Sequence, residues 1–340
     1  MKTTESFQSF YQTTLTSIVN ALDVERKEMV KKIYMAGAAA VIFVILYGMI
    51  NKSTVRETQL GPNGPTQYTY TGGYSGAIFY IAIAGVLGYF FWYRPRAKKF
   101  RSRFKNEIIR RIIKHADEKL EYHPEAGISV TDFIQSTIFD TAGDRYLCED
   151  LVSGKIGSTT IRFSDVQTQR KKELKGDDGA PDFKRWVTLF KGIIFVADFN
   201  KHFKGRTMVL TDQAEKSLGG LGTFFQKMNA QRDPLVKMEN TDFEKAFVVY
   251  ASDAVEAHYI LTPALMERML NLRSRLGNVQ FAFYNSVVFI AIPTKNDLFE
   301  ANIFRPLTVQ SEMEKYFVQL QFFTGIVEDL NLNNRIWTKE

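Results

Sequence analysis

The stretch GAIFYIAIAGVLGYFFWYRPRAKKFRSRFK, residues 76–105, decides the architecture of this chain. Its first part, residues 76–93, carries no charge, and its remainder holds Arg94, Arg96, Lys98, Lys99, Arg101, Arg103 and Lys105. At about 1.5 Å of rise per residue, an uncharged helix of this length reaches roughly 27 Å, close to the hydrocarbon thickness of a bilayer. The spacing therefore predicts a transmembrane helix that leaves the membrane at Trp92 and Tyr93, where amphipathic rings favour the interface.

A matching uncharged run lies upstream at residues 33–50. It follows a long stretch of mixed charge, unlike the short charged region of a secretory signal, so it reads as a permanent span. Gly37, Ala38, Ala39, Gly85 and Gly88 would let the two helices approach closely. Residues 51–75, with several Gly and Pro and only Lys52, Arg56 and Glu57 as charges, read as a short extracytoplasmic loop. The basic cluster of residues 94–105, supported by Arg26, Lys27, Lys31 and Lys32, must stay cytoplasmic by the positive-inside rule. Both termini are then expected in the cytoplasm.

The overall charge of +7 at first suggests a polyanionic partner. Its distribution does not. Residues 1–105 hold 14 Lys/Arg against five Asp/Glu, whereas residues 106–340 hold 30 against 32. Phosphate contacts carry most nucleic-acid affinity, so a nearly neutral domain argues against a nucleic-acid partner. The basic cluster reads as a topology signal with general attraction to anionic headgroups. Cys148 is the only cysteine, and His115, His123, His202 and His258 show no metal-binding spacing. Neither a metal nor a cofactor is expected.

Around the spans, residues 1–32 read as an N-terminal cytoplasmic amphipathic helix, with Phe7, Phe10, Tyr11, Leu15, Ile18, Val19 and Leu22 on one side. Such a helix would pack on the soluble domain or pair with a neighbour. Residues 94–123 read as a basic juxtamembrane helix, kinked or restarted at Pro95. The rest, residues 124–340, reads as a cytoplasmic α+β domain, because strands and helices do not alternate regularly. Strands are predicted over 155–163, 187–199, 206–210, 235–238 and 247–251, with a loop over 170–185. A helix opens at Thr262 with Pro263 and stops at Gly277. A hairpin joins 279–283 to 287–292, and a last helix opens with a capping box from Ser311 to Glu314.

Chemistry is sparse. Asp198, His202 and Arg206 fall between two strands in FVADFNKHFKGRTMVL, where an acid/base pair or an anion clamp could sit. They define the enzymatic alternative, a membrane-associated hydrolase or transferase. A turn whose charges are satisfied by solvent explains the same residues. Gly219, Gly220 and Gly222 lack the order of a phosphate-binding loop. Glu149 and Asp150 beside Cys148 would raise the thiol pKa and oppose thiolate chemistry.

The strings CEDLVSGKIGST from Cys148, WVTLFKGIIFVADFNKHFKGRT from Trp186, LVKMENTDFEKAFVVYASDAVEAHYILTPALMERML from Leu235 and GIVEDLNLNNRIW from Gly325 resemble the bacterial membrane-protein family known as domain of unknown function 3137. The resemblance covers roughly residues 145–337. It implies a bacterial inner membrane and, through gene neighbourhood, a partner of the LemA family. It assigns no catalytic residues, so none carries over to Asp198, His202 or Arg206. The expectation is a two-span, integral membrane protein whose cytoplasmic domain binds a protein partner or lipid headgroups without catalysis. Homo-oligomerisation stays open.

Overall fold

The structure, a computed structural model, describes residues 4–50, 54–59, 66–71, 75–174, 183–211 and 233–333. It is a mixed α+β chain with long N-terminal apolar helices, an antiparallel sheet and a C-terminal helix. Two compact units divide it: residues 11–108 with 301–312, and residues 1–10, 109–300 and 313–340.

The helical unit contains α2 (Thr16–Ile50), α3 (Ser75–Leu87) and α4 (Arg94–Phe104). Helix α1 (Thr4–Phe10) runs into α2 through a π turn at Tyr11–Leu15. A second π turn, Gly88–Tyr93, joins α3 to α4. Pro95 has no N–H to donate and its ring crowds the preceding turn, and the wider winding just ahead of it lets the helix run on without a break. Ahead of the first apolar run, Leu15, Val19, Leu22 and Met29 of the first helix are buried at alternating spacings of three and four, interrupted by Arg26. Ala97, Phe100, Phe104 and Ile108 are buried on the second. Between the apolar runs the sequence predicts a loop, but Thr54–Gln59 (β1) and Thr66–Thr71 (β2) pair as an antiparallel hairpin.

In the other unit, α5 (Arg110–Ala116) ends the second long helix, short of the predicted boundary at residue 123. Among the described residues, nine strands follow in one antiparallel sheet: β3 (Glu121–His123), β4 (Arg145–Ile156), β5 (Thr159–Leu174), β6 (Phe183–Asp198), β7 (Thr207–Thr211), β8 (Leu235–Val236), β9 (Phe247–Ala251), β10 (Gln280–Tyr284) and β11 (Val287–Pro293). Their spatial order is β3-β4-β5-β6-β11-β10-β7-β9-β8. The predicted strand over 155–163 is strand at both ends but takes in the turn between two long strands, made at Gly157 with φ +61°, so that 155–156 end β4 and 159–163 open β5. The predicted loop over 170–185 shrinks, because β5 runs to Leu174 and β6 begins at Phe183.

Both faces of the sheet are covered, which explains the unbroken apolar run of residues 193–197 in β6. On one face Ile194, Val196, Met208, Leu210, Ala282 and Phe289 pack under residues 128–142, where Phe133 stacks on Phe139 at 4.6 Å. That segment includes a short helix, α6 (Val130–Gln135), capped by Ser129. On the other, Phe163 meets Phe195 and Phe323 of the C-terminal helix, at 6.1 and 5.1 Å between ring centroids. Two more short helices, α7 (Thr241–Ala246) and α8 (Ala254–Ile260), are capped by Asn240 and Asp253. Helix α9 (Pro263–Leu276) starts and stops where the sequence predicts. The last helix, α10 (Gln310–Asp329), opens before Ser311, so the expected capping box is not its start. Phe7 of α1 stacks on Phe317 of α10 at 4.8 Å, and Phe10 on His115 at 4.0 Å.

Candidate functional site

The turn after β6 holds the three residues singled out by sequence. Asp198 ends β6 opposite Val287 and is half-buried. Phe199 and Phe203 turn inward onto Phe283, at 5.2 and 6.4 Å between ring centroids, and leave His202 exposed between them. Glu256 of α8 accepts the backbone N–H groups of Lys204 (3.1 Å) and Gly205 (2.7 Å), and Ser252 Oγ accepts that of Arg206 (2.9 Å). The Arg206 guanidinium pairs with Asp233 at 3.1 Å. Lys201 donates to the Tyr259 carbonyl and lies 4.5 Å over its ring, and burial lowers its pKa. The string FNKHFKGRT thus builds a turn clamped by Glu256, with His202 at its outer side and Arg206 engaged by Asp233.

A second constellation, at the β3–β4–β5 end of the sheet, went unnoticed in the sequence. Asp150 sits in an irregularity of β4 between Glu149 and Val152, with φ +63° and no exposure. Its Oδ1 accepts the Tyr122 hydroxyl. Burial, then the Asp150 charge, pushes the Tyr122 pKa up. Asp165 lies opposite Glu149 in the register, is 7% exposed, and accepts the Leu298 N–H. Burial is the main cause that pushes its carboxyl up to about 8, with the charges of Asp150, Asp297 and Glu149 adding and the Leu298 bond opposing. This carboxyl therefore holds a proton at neutral pH. Oxygens of Glu149, Asp150 and Glu300 lie within 4.8 Å of one another, a set of hard ligands of the type that Ca²⁺ or Mg²⁺ takes. Cys148 packs against Gly127, where a Cβ would come within 2.4 Å of it, and burial followed by Glu149 raises its pKa. The sequence signal was the pair Glu149–Asp150, weighed only for its effect on the thiol. Asp165 gave none, because a polar residue in a strand ordinarily faces water.

The third feature is the base of the helical unit. Arg103 pairs with Glu25 at 2.5 Å and with Glu107 at 2.9 Å. Further along, Tyr47 meets Tyr80 with ring centroids 6.5 Å apart. Both contacts imply the same antiparallel register, which brings Ile33 and Tyr34 level with Tyr93. Arg94 and Arg96 lie over the rings of Phe90 and Trp92, at 5.9 and 5.0 Å. Lys98, Lys99 and Arg101 are exposed, but Lys105 is buried. Arg26, 6% exposed, donates to Asp23 Oδ1 (2.6 Å) and to the Ile303 carbonyl (3.0 Å), while Asp23 also accepts the Leu307 N–H (3.0 Å). Residues 301–312 are thereby strapped to α2. Burial raises the Asp23 pKa, but bonds from Arg26, Leu307 and Lys27 outweigh it and hold the carboxyl below its ordinary value.

Two helical stretches, Glu5–Tyr47 and Ile78–Ala116, are long and apolar enough to cross a membrane. The glycines at 219, 220 and 222 and the end of the GIVEDLNLNNRIW string lie outside the described residues. Among solved structures, the crystal structure of the mycobacterial trehalose monomycolate transport factor A, TtfA, is similar with a TM-score of 0.31 and 9% identity, over 65% of this chain and 96% of that one. A likeness of that size decides neither fold nor function. No curated protein matches the chain. The family model described as "Protein of unknown function (DUF3137)" matches residues 188–332, from β6 through the C-terminal helix, and supports the family resemblance over that region.

Proposed function

We propose that the chain is a membrane-anchored interaction module of the bacterial inner membrane. Two spans with cytoplasmic ends hold an α+β domain at the inner face, where it binds a protein partner or lipid headgroups. The observation that carries this reading is the helical register. The Glu25–Arg103 and Tyr47–Tyr80 contacts bring the two apolar runs level at the same end, where the basic residues begin. Along the runs, large apolar side chains face outward, including Ile42, Leu46, Ile78, Phe79 and Phe91, the last 78% exposed. In water such a surface would be strongly unfavourable, and in lipid it is the ordinary state.

Alkaline carbonate extraction of membranes tests the anchor. The full chain is expected to stay in the pellet and to leave it only with detergent. Release into the carbonate supernatant would contradict the proposal.

A further inference from the structure

Strands β5 and β6 continue beyond the sheet as a two-stranded arm. Strand β4 accompanies β5 only as far as Gln169, and β11 accompanies β6 only from Gly192. Among the described residues, the rungs Arg170↔Val187, Lys171↔Trp186, Lys172↔Arg185 and Glu173↔Lys184 have no neighbouring strand. The arm's base is fixed, since Asp144 donates its N–H to the Gln169 carbonyl at 2.9 Å and accepts the Lys171 N–H at 2.7 Å.

Directly opposite residues share a face, which separates the arm into two unlike surfaces. On one, Lys184 pairs with Glu173 at 2.6 Å, and Lys171 lies 5.8 Å over the Trp186 ring. On the other, Lys172 stands directly across from Arg185, with Arg170 two residues along the same strand. Like charges placed opposite each other destabilise a strand pair, so this arrangement favours an anionic surface laid against it. Trp186, 43% exposed, belongs to the opposite face with Lys171, whereas Val187, paired with Arg170, shares the cationic face with Lys172 and Arg185.

We infer that this arm docks on anionic lipid headgroups of the membrane that anchors the chain. The inference rests on the anchored reading above, which keeps an anionic surface at high effective concentration next to the domain. An acidic protein or a nucleic acid would satisfy the same charges but lacks that enforced proximity. The link between the strands, residues 175–182, adds Lys175 and the acids Asp177, Asp178 and Asp182, so the attraction is assigned to the rungs.

The test uses the full chain with one tryptophan, placed on the cationic face (Val187→Trp with W92F, W186F and W337F), reconstituted in brominated phosphatidylcholine vesicles with or without phosphatidylglycerol. The emission of this tryptophan should be quenched and blue-shifted only with phosphatidylglycerol. The effect should be lost at high salt and in a Lys172→Gln, Arg185→Gln variant whose circular dichroism is unchanged. Equal emission in both vesicles overturns the inference. So does a shift that polyglutamate or single-stranded DNA produces and phosphatidylglycerol does not. Vesicle flotation separates the two readings: protein that floats without the tryptophan response counts against the arm alone, and protein that floats with neither vesicle overturns the anchor as well.

Discussion

Asp165 makes the sheet unit sensitive to pH. Its carboxyl titrates near 4 when unfolded and at about 8 when folded, so the native state binds the extra proton between those values. The stability tied to that proton is full below about pH 4 and is lost as pH rises through about 8. Asp165→Asn keeps an acceptor for the Leu298 N–H and has no charge to desolvate. Denaturation in micelles containing EDTA should show the wild type losing at least about 1.4 kcal/mol more than the variant between pH 5 and pH 8, the equivalent of one pKa unit. Parallel pH profiles would contradict the assignment. Tyr122→Phe removes the hydroxyl from a buried carboxylate and should cost about 1.5–3 kcal/mol in the same measurement. None of this was legible in the sequence. Asp150 depends on a strand irregularity, and Asp165 on a covering segment around Leu298 that is distant along the chain.

At the scale of elements, the strap and the arm root make separable predictions. Asp23→Ala leaves the buried Arg26 without its carboxylate and frees the Leu307 N–H. Breaking a buried ion pair in this way costs about 3–5 kcal/mol. Hydrogen exchange at Leu307 should accelerate strongly while β6 amides keep their protection. At the arm root, Gly143 has φ +72°, and a Cβ there would fall 2.5 Å from the Gln169 carbonyl oxygen. Gly143→Ala should cost at least roughly 1–2 kcal/mol by urea denaturation, and an unchanged midpoint would contradict the packing. Elements with one buried face, such as β9 and α9, were readable because their apolar period survives in the sequence. The arm was not. Both its faces meet water, so its charges read as a loop, and only the cross-strand pairs Lys171–Trp186 and Glu173–Lys184 reveal the ladder. The short helices α6, α7 and α8 carried their caps in sequence, but each is too brief to show a period.

For the whole molecule, the two uncharged runs and the irregular order of strands and helices made the α+β class and the membrane reading accessible from sequence. The antiparallel register of the two long helices was not, because it rests on Glu25–Arg103 and Tyr47–Tyr80, pairs that no local pattern announces. Labelling by a membrane-impermeant maleimide in intact bacterial spheroplasts tests the central claim most directly. In a Cys148→Ser background, a cysteine at Thr58, between the spans, should react before lysis, and one at Lys184, on the sheet domain, only after it. Labelling of Lys184→Cys in intact spheroplasts, or protection of Thr58→Cys until lysis, would contradict an inner-membrane anchor holding the domain in the cytoplasm.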